Sequence, residues 1–536
     1  MVPRFAFLLA GLFALSPSAA LAASDAVDKA DAMLTGATPL FAWLVVVPIV
    51  LPLLGAGVLL ALRSKPQIQA GATLFILALT TLGAIGLNAA VAINGPIMMA
   101  MGNWLPPFGI VVTIDQLGAL LVLVTSLVGL IGLGYARFDT DEDSVQFGFY
   151  SFYLLLITGV NGSFSTGDIF NLYVWFEVFL IASFGLLIMG GRRIQMDGAV
   201  KYGVLNLIAT TIFLIAVAAL YGVTGTLNMA DIRTVLASAD VAPPMAIGAL
   251  FVLGFVMKAA AFPLHFWLPA SYHTPRIVVA ALFAGLLTKV GVYALLRIVV
   301  MLFGTAGSVF LPLIGVLGVL TAVLGALGAL AQTDLRRMAA FLVVSGIGVA
   351  LIGIGLGSEA GYAGAIVYMV HSIFAMTALF LVIGLCERLT GSLSLAMPGG
   401  IYTVNGLAAA LFLIFGFAAA GLPPFSGFWP KLMLIQASLA TGGTMAIAGA
   451  VGVILSGFLT TIVIGRAWAL TFLKPAEGPE RPAGDAAGLS APLVLLAAII
   501  IGLGIVPMLV IAPAEEGARG LIDPSSYIET VLGQEG

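Results

Sequence analysis

Charge is what this 536-residue chain lacks: Asp, Glu, Lys and Arg make up only 8% of it, against about 25% in soluble globular proteins. With 61% hydrophobic residues, that scarcity excludes a soluble domain. Cysteine occurs once, as Cys386, and histidine three times, so there is no disulfide framework and no Cys/His zinc pattern. A net charge of -3 leaves no basic stripe for nucleic acid. The glycines are scattered through apolar stretches, and no G-x-x-x-x-G-K-[ST] or G-x-G-x-x-G stands in a polar strand-to-helix setting. The sequence therefore predicts no nucleotide site, no cofactor and no metal.

What the chain has instead is apolar runs long enough to cross a bilayer, which takes roughly 20 residues of helix. They are too long for the strands of a membrane barrel. The 65 glycines and 33 phenylalanines suit closely packed helices in lipid. The prediction is an all-α polytopic membrane protein of about 14 transmembrane helices. Helices one to three lie in 44–136, four to eight in 147–299, nine to thirteen in 310–472 and the fourteenth in 490–512, with a C-terminal tail over 513–536. Residues 1–23 carry Arg4, an apolar stretch and Ala20-Leu21-Ala22, the layout of a cleaved signal peptide or of an uncleaved extra helix. Residues 24–43 then form a periplasmic segment. Twelve Lys and Arg, among them Arg63, Arg137, Arg276 and Arg388, follow odd-numbered spans, against only Arg233 and Arg297 after even-numbered ones. The excess places the odd loops in the cytoplasm and both termini of the 14-helix body in the periplasm, in a bacterial inner membrane.

Four of the seven lysines, Lys201, Lys258, Lys289 and Lys431, fall within or at the margin of apolar spans, and Glu177 lies deep in the fifth. A lone charge at such depth costs at least about 2.5–3.5 kcal/mol, so these groups are expected to face the bundle interior, pair, or touch internal water. Snorkelling fits Lys201 as well as function does. Burial makes a lysine easier to deprotonate and a nearby carboxylate reverses that, so a Glu–Lys pair is a switch for proton release. His371, alone in span eleven, and His265, seven residues after Lys258, extend the candidate proton path. A hydrogen-bonded structural role for His265 stays open. His273 is expected to be solvated, Asp115 to cap or anchor, and Asp334, Arg336 and Arg337 to form a cytoplasmic turn.

Spans seven and twelve each hold an Ala run, a proline break, a Trp and another Pro beside a lysine: Lys258 with Pro263, Trp267 and Pro269, and Pro423-Pro424 with Trp429, Pro430 and Lys431. Proline has no N–H to give the carbonyl four residues back, which orphans the carbonyls of Ala259, Ala419 and Ala420. A simple kink is one reading. Recurrence five spans apart, beside a lysine, argues for two inverted five-helix repeats, each with a broken helix.

These residues, with Leu287-Thr288-Lys289-Val290-Gly291-Val292-Tyr293, Asp334-Leu335-Arg336-Arg337 and Gly421-Leu422-Pro423-Pro424-Phe425-Ser426-Gly427-Phe428, resemble the proton-translocating antiporter-like subunits shared by respiratory complex I and the Mrp/Pha-type multisubunit cation/proton antiporters. The resemblance runs from about 100 to 470. Gly102–Gly109 and the tail Ile522–Ile528 are most similar to the D-type branch of the Mrp/Pha systems. The resemblance implies proton-transfer roles for Glu177, Lys258, Lys289 and Lys431 and for the further lysine Lys201. It implies partner subunits, protons and a monovalent cation (Na+ or K+) as cargo, and a membrane-lipid setting. It also marks departures. Met376 stands where many relatives have a lysine in helix eleven, and Leu342-Val343 replaces a serine pair, although Ser345 remains. The expected function is that of a secondary ion transporter component, not an enzyme. A proton-pumping subunit of an NADH-quinone oxidoreductase or membrane-bound hydrogenase is the alternative, and a scaffold that moves no ions a third reading.

Overall fold

The computed structural model describes residues 33–34, 38–238, 245–395, 400–474 and 486–533. The predicted signal segment 1–23 lies outside them. The chain is mostly helical, and among the described residues ten helices are long and apolar enough to cross a membrane. Three shorter apolar helices, Val47–Ala61, Met245–Lys258 and Gly406–Ala420, join them. The last two are the N-terminal arms of the predicted broken helices; their C-terminal arms are Trp267–Ser271 and Phe428–Thr441.

The helices sort by burial. Ile277–Leu302 and Glu359–Thr390 are 100% buried over their most apolar windows, whereas Pro66–Asn94 is 33% buried. The first two are therefore the centre of the bundle, and Lys289 and His371 ride on them. Close approach between the next two helices uses missing side chains. Gly318 and Gly325 on Leu311–Leu330 face Leu335–Gly355, where a Cβ on Gly348 would stand 2.1 Å from the Ala322 amide nitrogen. Backbones this close gain dispersion contacts that lipid-facing leucines cannot supply.

Two expectations change. The fold is not purely helical: Ile97–Ala100 and Val111–Ile114 form an antiparallel hairpin with Ile97 opposite Ile114 and Ala100 opposite Val111. Asn103 at the tip takes a positive φ, so Gly102–Gly109 is the turn of a hairpin. The pairing satisfies backbone groups of a short apolar stretch between helices. Arg297, counted above as a loop charge, is inside the bundle. The helix runs on through a π-helical stretch, Leu296–Leu302, and Arg297 is 2% exposed.

Candidate functional site

The predicted breaks are there, and their backbones match. At the first, Ala260 has φ +58° and the Ala261 amide donates to Val256 O, five residues back, at 3.0 Å. At the second, Gly421 has φ +89° and the Leu422 amide donates to Phe417 O at 3.0 Å. Both are left-handed helix endings that recover carbonyls the helix leaves open. The lysines sit on opposite arms: Lys258 ends the N-terminal arm of its break, and Lys431 starts the C-terminal arm of its own.

At the second break the orphan carbonyls find the lysine. Lys431 Nζ donates to Ala420 O at 2.6 Å and to Ala419 O at 3.2 Å, the two acceptors that Pro423 and Pro424 cannot serve. An ammonium has three donors, so two hold the break and one remains. Lys431 also lines a cavity of about 10 Å³ with Ser345, Tyr368, Met376, Ser456 and Thr460, a volume at the lower limit for one water. Met376 and Leu342, two of the departures noted above, are both in its wall.

Lys289, 1% exposed, donates to Ala284 O at 2.6 Å. Ala284 lies in a second π-helical stretch, Phe283–Leu287, where the widened turn presents a carbonyl to a side chain five residues on. A Cβ on Gly291, half a turn after Lys289, would stand 2.9 Å from the Ala259 amide nitrogen, so this helix presses directly on the first break. The Phe262 amide in that break donates to Thr321 Oγ1 at 2.9 Å, and Trp267 Nε1 donates to Met257 O at 3.1 Å. Thr321, from the second half of the chain, thus holds a backbone group of the first.

Lys258 and Glu177 do not form an ion pair. Among the described residues, Lys258 Nζ and Glu177 Oε1 are buried without a hydrogen-bond partner. Nζ lies 5.5 Å from the centre of the Phe176 ring, while Glu177 stays within Coulombic reach of it. The phenyl face offers the ammonium a weak negative potential beside that of the carboxylate.

His371, 2% exposed, makes a 2.8 Å hydrogen bond between Nδ1 and Ser426 Oγ. It lies within Coulombic reach of both Lys431 and Lys289, so the structure gathers His371, Ser426 and Lys431 at the second break, with Lys289 on the helix that presses on the first. Two predicted residues are elsewhere. Lys201 is on the outer surface, 51% exposed and bonded at 2.5 Å to Asp197 one turn away. His265 packs against Phe262 and Phe341, and among the described residues its Nδ1 has no partner.

A polar group that sequence reasoning did not assemble joins the ends of three segments. Asp115 caps its helix, accepting from the Gly118 amide at 2.9 Å, and both its oxygens accept from the Arg297 guanidinium, one at 2.6 Å. Arg297 Nε donates to Tyr293 Oη at 3.0 Å, and the guanidinium lies over the rings of Tyr293 and, from the tail, Tyr527. The signal was present: Lys289, Tyr293 and Arg297 recur every four residues, one face of a helix.

The loops attributed to the cytoplasmic side carry a second network. Arg276 donates to Asp141 and to Ser144 Oγ, and Arg336 to Glu387 and to Pro275 O. Asp334 caps its helix through the Arg337 amide, so this turn pairs internally. His273, expected to be solvated, is half-buried: Nδ1 bonds Pro269 O at 2.9 Å and Nε2 bonds Arg337 at 3.2 Å. Burial and the Arg337 guanidinium push it below its ordinary pKa. At Asp141, burial raises the carboxyl, but hydrogen bonds from Ser144 and Arg276 override it and hold the group at about 2.

Comparison with known proteins fits this geometry. Residues 166–458 match the family model described as NADH:quinone oxidoreductase/Mrp antiporter, TM. The chain is similar to the D-type subunit of a Na(+)/H(+) antiporter from Alkalihalophilus pseudofirmus, 36% identical over 491 residues that cover 91% of this chain and 99% of that protein. Its likeness to the corresponding Na(+)/H(+) antiporter protein of Bacillus subtilis is 34% over 496 residues, covering 91% and 99%. Among solved structures, a chain of the Mrp complex from Dietzia sp. DQ12-45-1b aligns at TM-score 0.86 and 30% identity, covering 92% of this chain and 100% of that one. A chain of respiratory complex I from Thermus thermophilus shares the fold, at TM-score 0.75 and 24% identity over 89% and 99%.

Proposed function

The chain belongs to the NADH:quinone oxidoreductase/Mrp antiporter family, and from that premise we propose that it is the proton-translocating D-type subunit of a multisubunit monovalent cation/proton antiporter. Protons move along Glu177, Lys258, Lys289, His371 and Lys431, with internal water between them. The observation that carries this reading is the buried set Lys289, His371 and Lys431, each less than a tenth exposed and each hydrogen-bonded. Buried groups that gain or lose a proton need partners in both states. The Lys431 ammonium has them in backbone carbonyls, which an uncharged amine still bonds with its two remaining N–H groups.

The separated Glu177 and Lys258 fit the released condition of the switch, in which the lysine gives its proton onward. Lys201 and His265 take no part in this buried row; if they carry protons, they do so at its entrance. The fourteen crossings, the two inverted repeats and the periplasmic termini complete the proposal. The matching backbone endings at 260–261 and 421–422 support the repeats, and the loop charges support the orientation. Assembly with other antiporter subunits in a bacterial inner membrane follows from the same similarity.

The alternative, a component of a redox-driven pump, draws on 28% identity to a chain of an archaeal respiratory membrane complex, a membrane-bound sulfane sulfur reductase. One experiment separates the two. The complete complex in sealed vesicles changes lumenal pH on addition of Na+ or K+ alone if it is an antiporter. A pH change that appears only with a redox donor sinks that reading in favour of the pump.

A further inference from the structure

Ser426 carries no charge and lies in no helix, yet it makes the only hydrogen bond that the His371 ring has among the described residues. It belongs to the loop of the second break, and it is 5% exposed. That loop is held from outside. The Ser426 amide donates to Ile500 O at 3.1 Å and Trp429 Nε1 to Gly504 O at 2.7 Å. A Cβ on Gly504 would stand 1.9 Å from Pro424 O, and one on Gly427 would stand 2.8–2.9 Å from Cε1 and Nε2 of His371. The helix Ala486–Ile505 therefore fixes the loop, and the loop fixes the imidazole from two sides. Lys431, five residues after Ser426, closes the other arm of the same break through Ala419 and Ala420.

A hydroxyl is both donor and acceptor. It accepts from Nδ1–H, donates to a bare Nδ1, and accepts again from an imidazolium, so its contact survives each protonation state of the ring. With Nδ1 occupied, Nε2 is the nitrogen without a partner among the described residues. Which ring nitrogen exchanges protons is set by the hydrogen bond that the other makes. The groups around it are the Tyr368 ring, 5.6 Å between centroids, and Lys289 and Lys431 within Coulombic reach.

We propose that Ser426 is the positioning residue for His371: it holds Nδ1 through every protonation state, reserves Nε2 for proton exchange, and ties the histidine to the same helix break that Lys431 closes. The inference rests on the proton route proposed above.

The test uses the complete complex in sealed vesicles, with cation-driven pH change as readout and the amount of assembled complex quantified for each variant. Ser426→Ala lowers the rate roughly tenfold, the scale of one lost hydrogen bond, and Ser426→Thr recovers it to within about twofold. An active Ser426→Ala beside an inactive His371→Ala overturns this inference and leaves the route standing. Full activity in His371→Ala overturns the route and the inference with it. Should Ser426→Ala fail to assemble, Ser426→Thr and Ser426→Val match in shape and differ in the hydroxyl. A faster Thr variant supports the proposal, and equal rates overturn it.

Discussion

Neutralising Asp115 while leaving Arg297 in place strands a guanidinium that is 2% exposed. In Asp115→Asn the amide still caps the helix at Gly118, so helix capping is nearly unchanged. What is lost is a two-pronged, charge-assisted bond between groups that are both buried. The remaining contacts of Arg297, Tyr293 Oη at 3.0 Å, Met301 Sδ at 3.3 Å and two aromatic faces, are present in both proteins and offset nothing. Orphaning one partner of a buried pair costs about 3–5 kcal/mol, whereas replacing both partners with neutral groups of similar volume is often close to neutral. Asp115→Asn is thus expected to lose about 3–5 kcal/mol and Asp115→Asn/Arg297→Met to regain most of it. The assay is denaturant unfolding of the purified complex in mild detergent, monitored by a probe on this chain. A loss below about 1 kcal/mol in the single variant, the scale of a solvated surface pair, refutes the burial argument. So does a double variant that is less stable than either single one.

Three further outcomes follow from the same structure. Lys201→Ala, which removes an exposed pair with Asp197, leaves cation-driven pH change within about twofold of native, as expected for a surface ion pair; a loss like that of a buried lysine would return Lys201 to the route. Gly291→Ala puts a Cβ 2.9 Å from the Ala259 amide nitrogen and costs about 1–3 kcal/mol of stability, the range for overpacking, measured by the same unfolding assay. Asp141 is held at about 2 in the folded protein, below the ordinary carboxylate value. Its contribution is therefore present above the ordinary value and is lost as pH falls from about 4 toward 2. Asp141→Asn flattens the fall in thermal stability across that window, and an unchanged profile counts against the Ser144 and Arg276 contacts.

The sequence shows depth well and distance poorly. Lys258, Lys289 and Lys431 were legible because an ammonium in an apolar run is costly enough to be kept only for a reason. The orphaned Ala419 and Ala420 carbonyls were legible because proline cannot donate. That Lys431 itself answers them was not, since it depends on how the two arms fold back. Asp115 and Arg297 are 182 positions apart, and Arg297 lay close enough to the end of an apolar run to be counted as a loop charge. The π-helical stretch that carries it inward has no simple sequence signal. The hairpin at 97–114 was missed because four-residue strands of Ile, Met and Val also read as ends of helices. Lys201 shows the converse: its place near the margin of a span left two readings open, and the face of the helix it takes, exposed beside Asp197, depends on packing that spacing does not show.

The claim that protons pass through this chain is tested most directly at Glu177 and Lys258, where the proposed route begins. Cation-driven pH change should be followed in sealed vesicles that hold the assembled complex with Glu177→Ala, with Lys258→Ala and with the native residues. Either substitution is expected to abolish the pH change while the complex remains assembled. Native rates in both variants would contradict the proton route and leave the protein a scaffold.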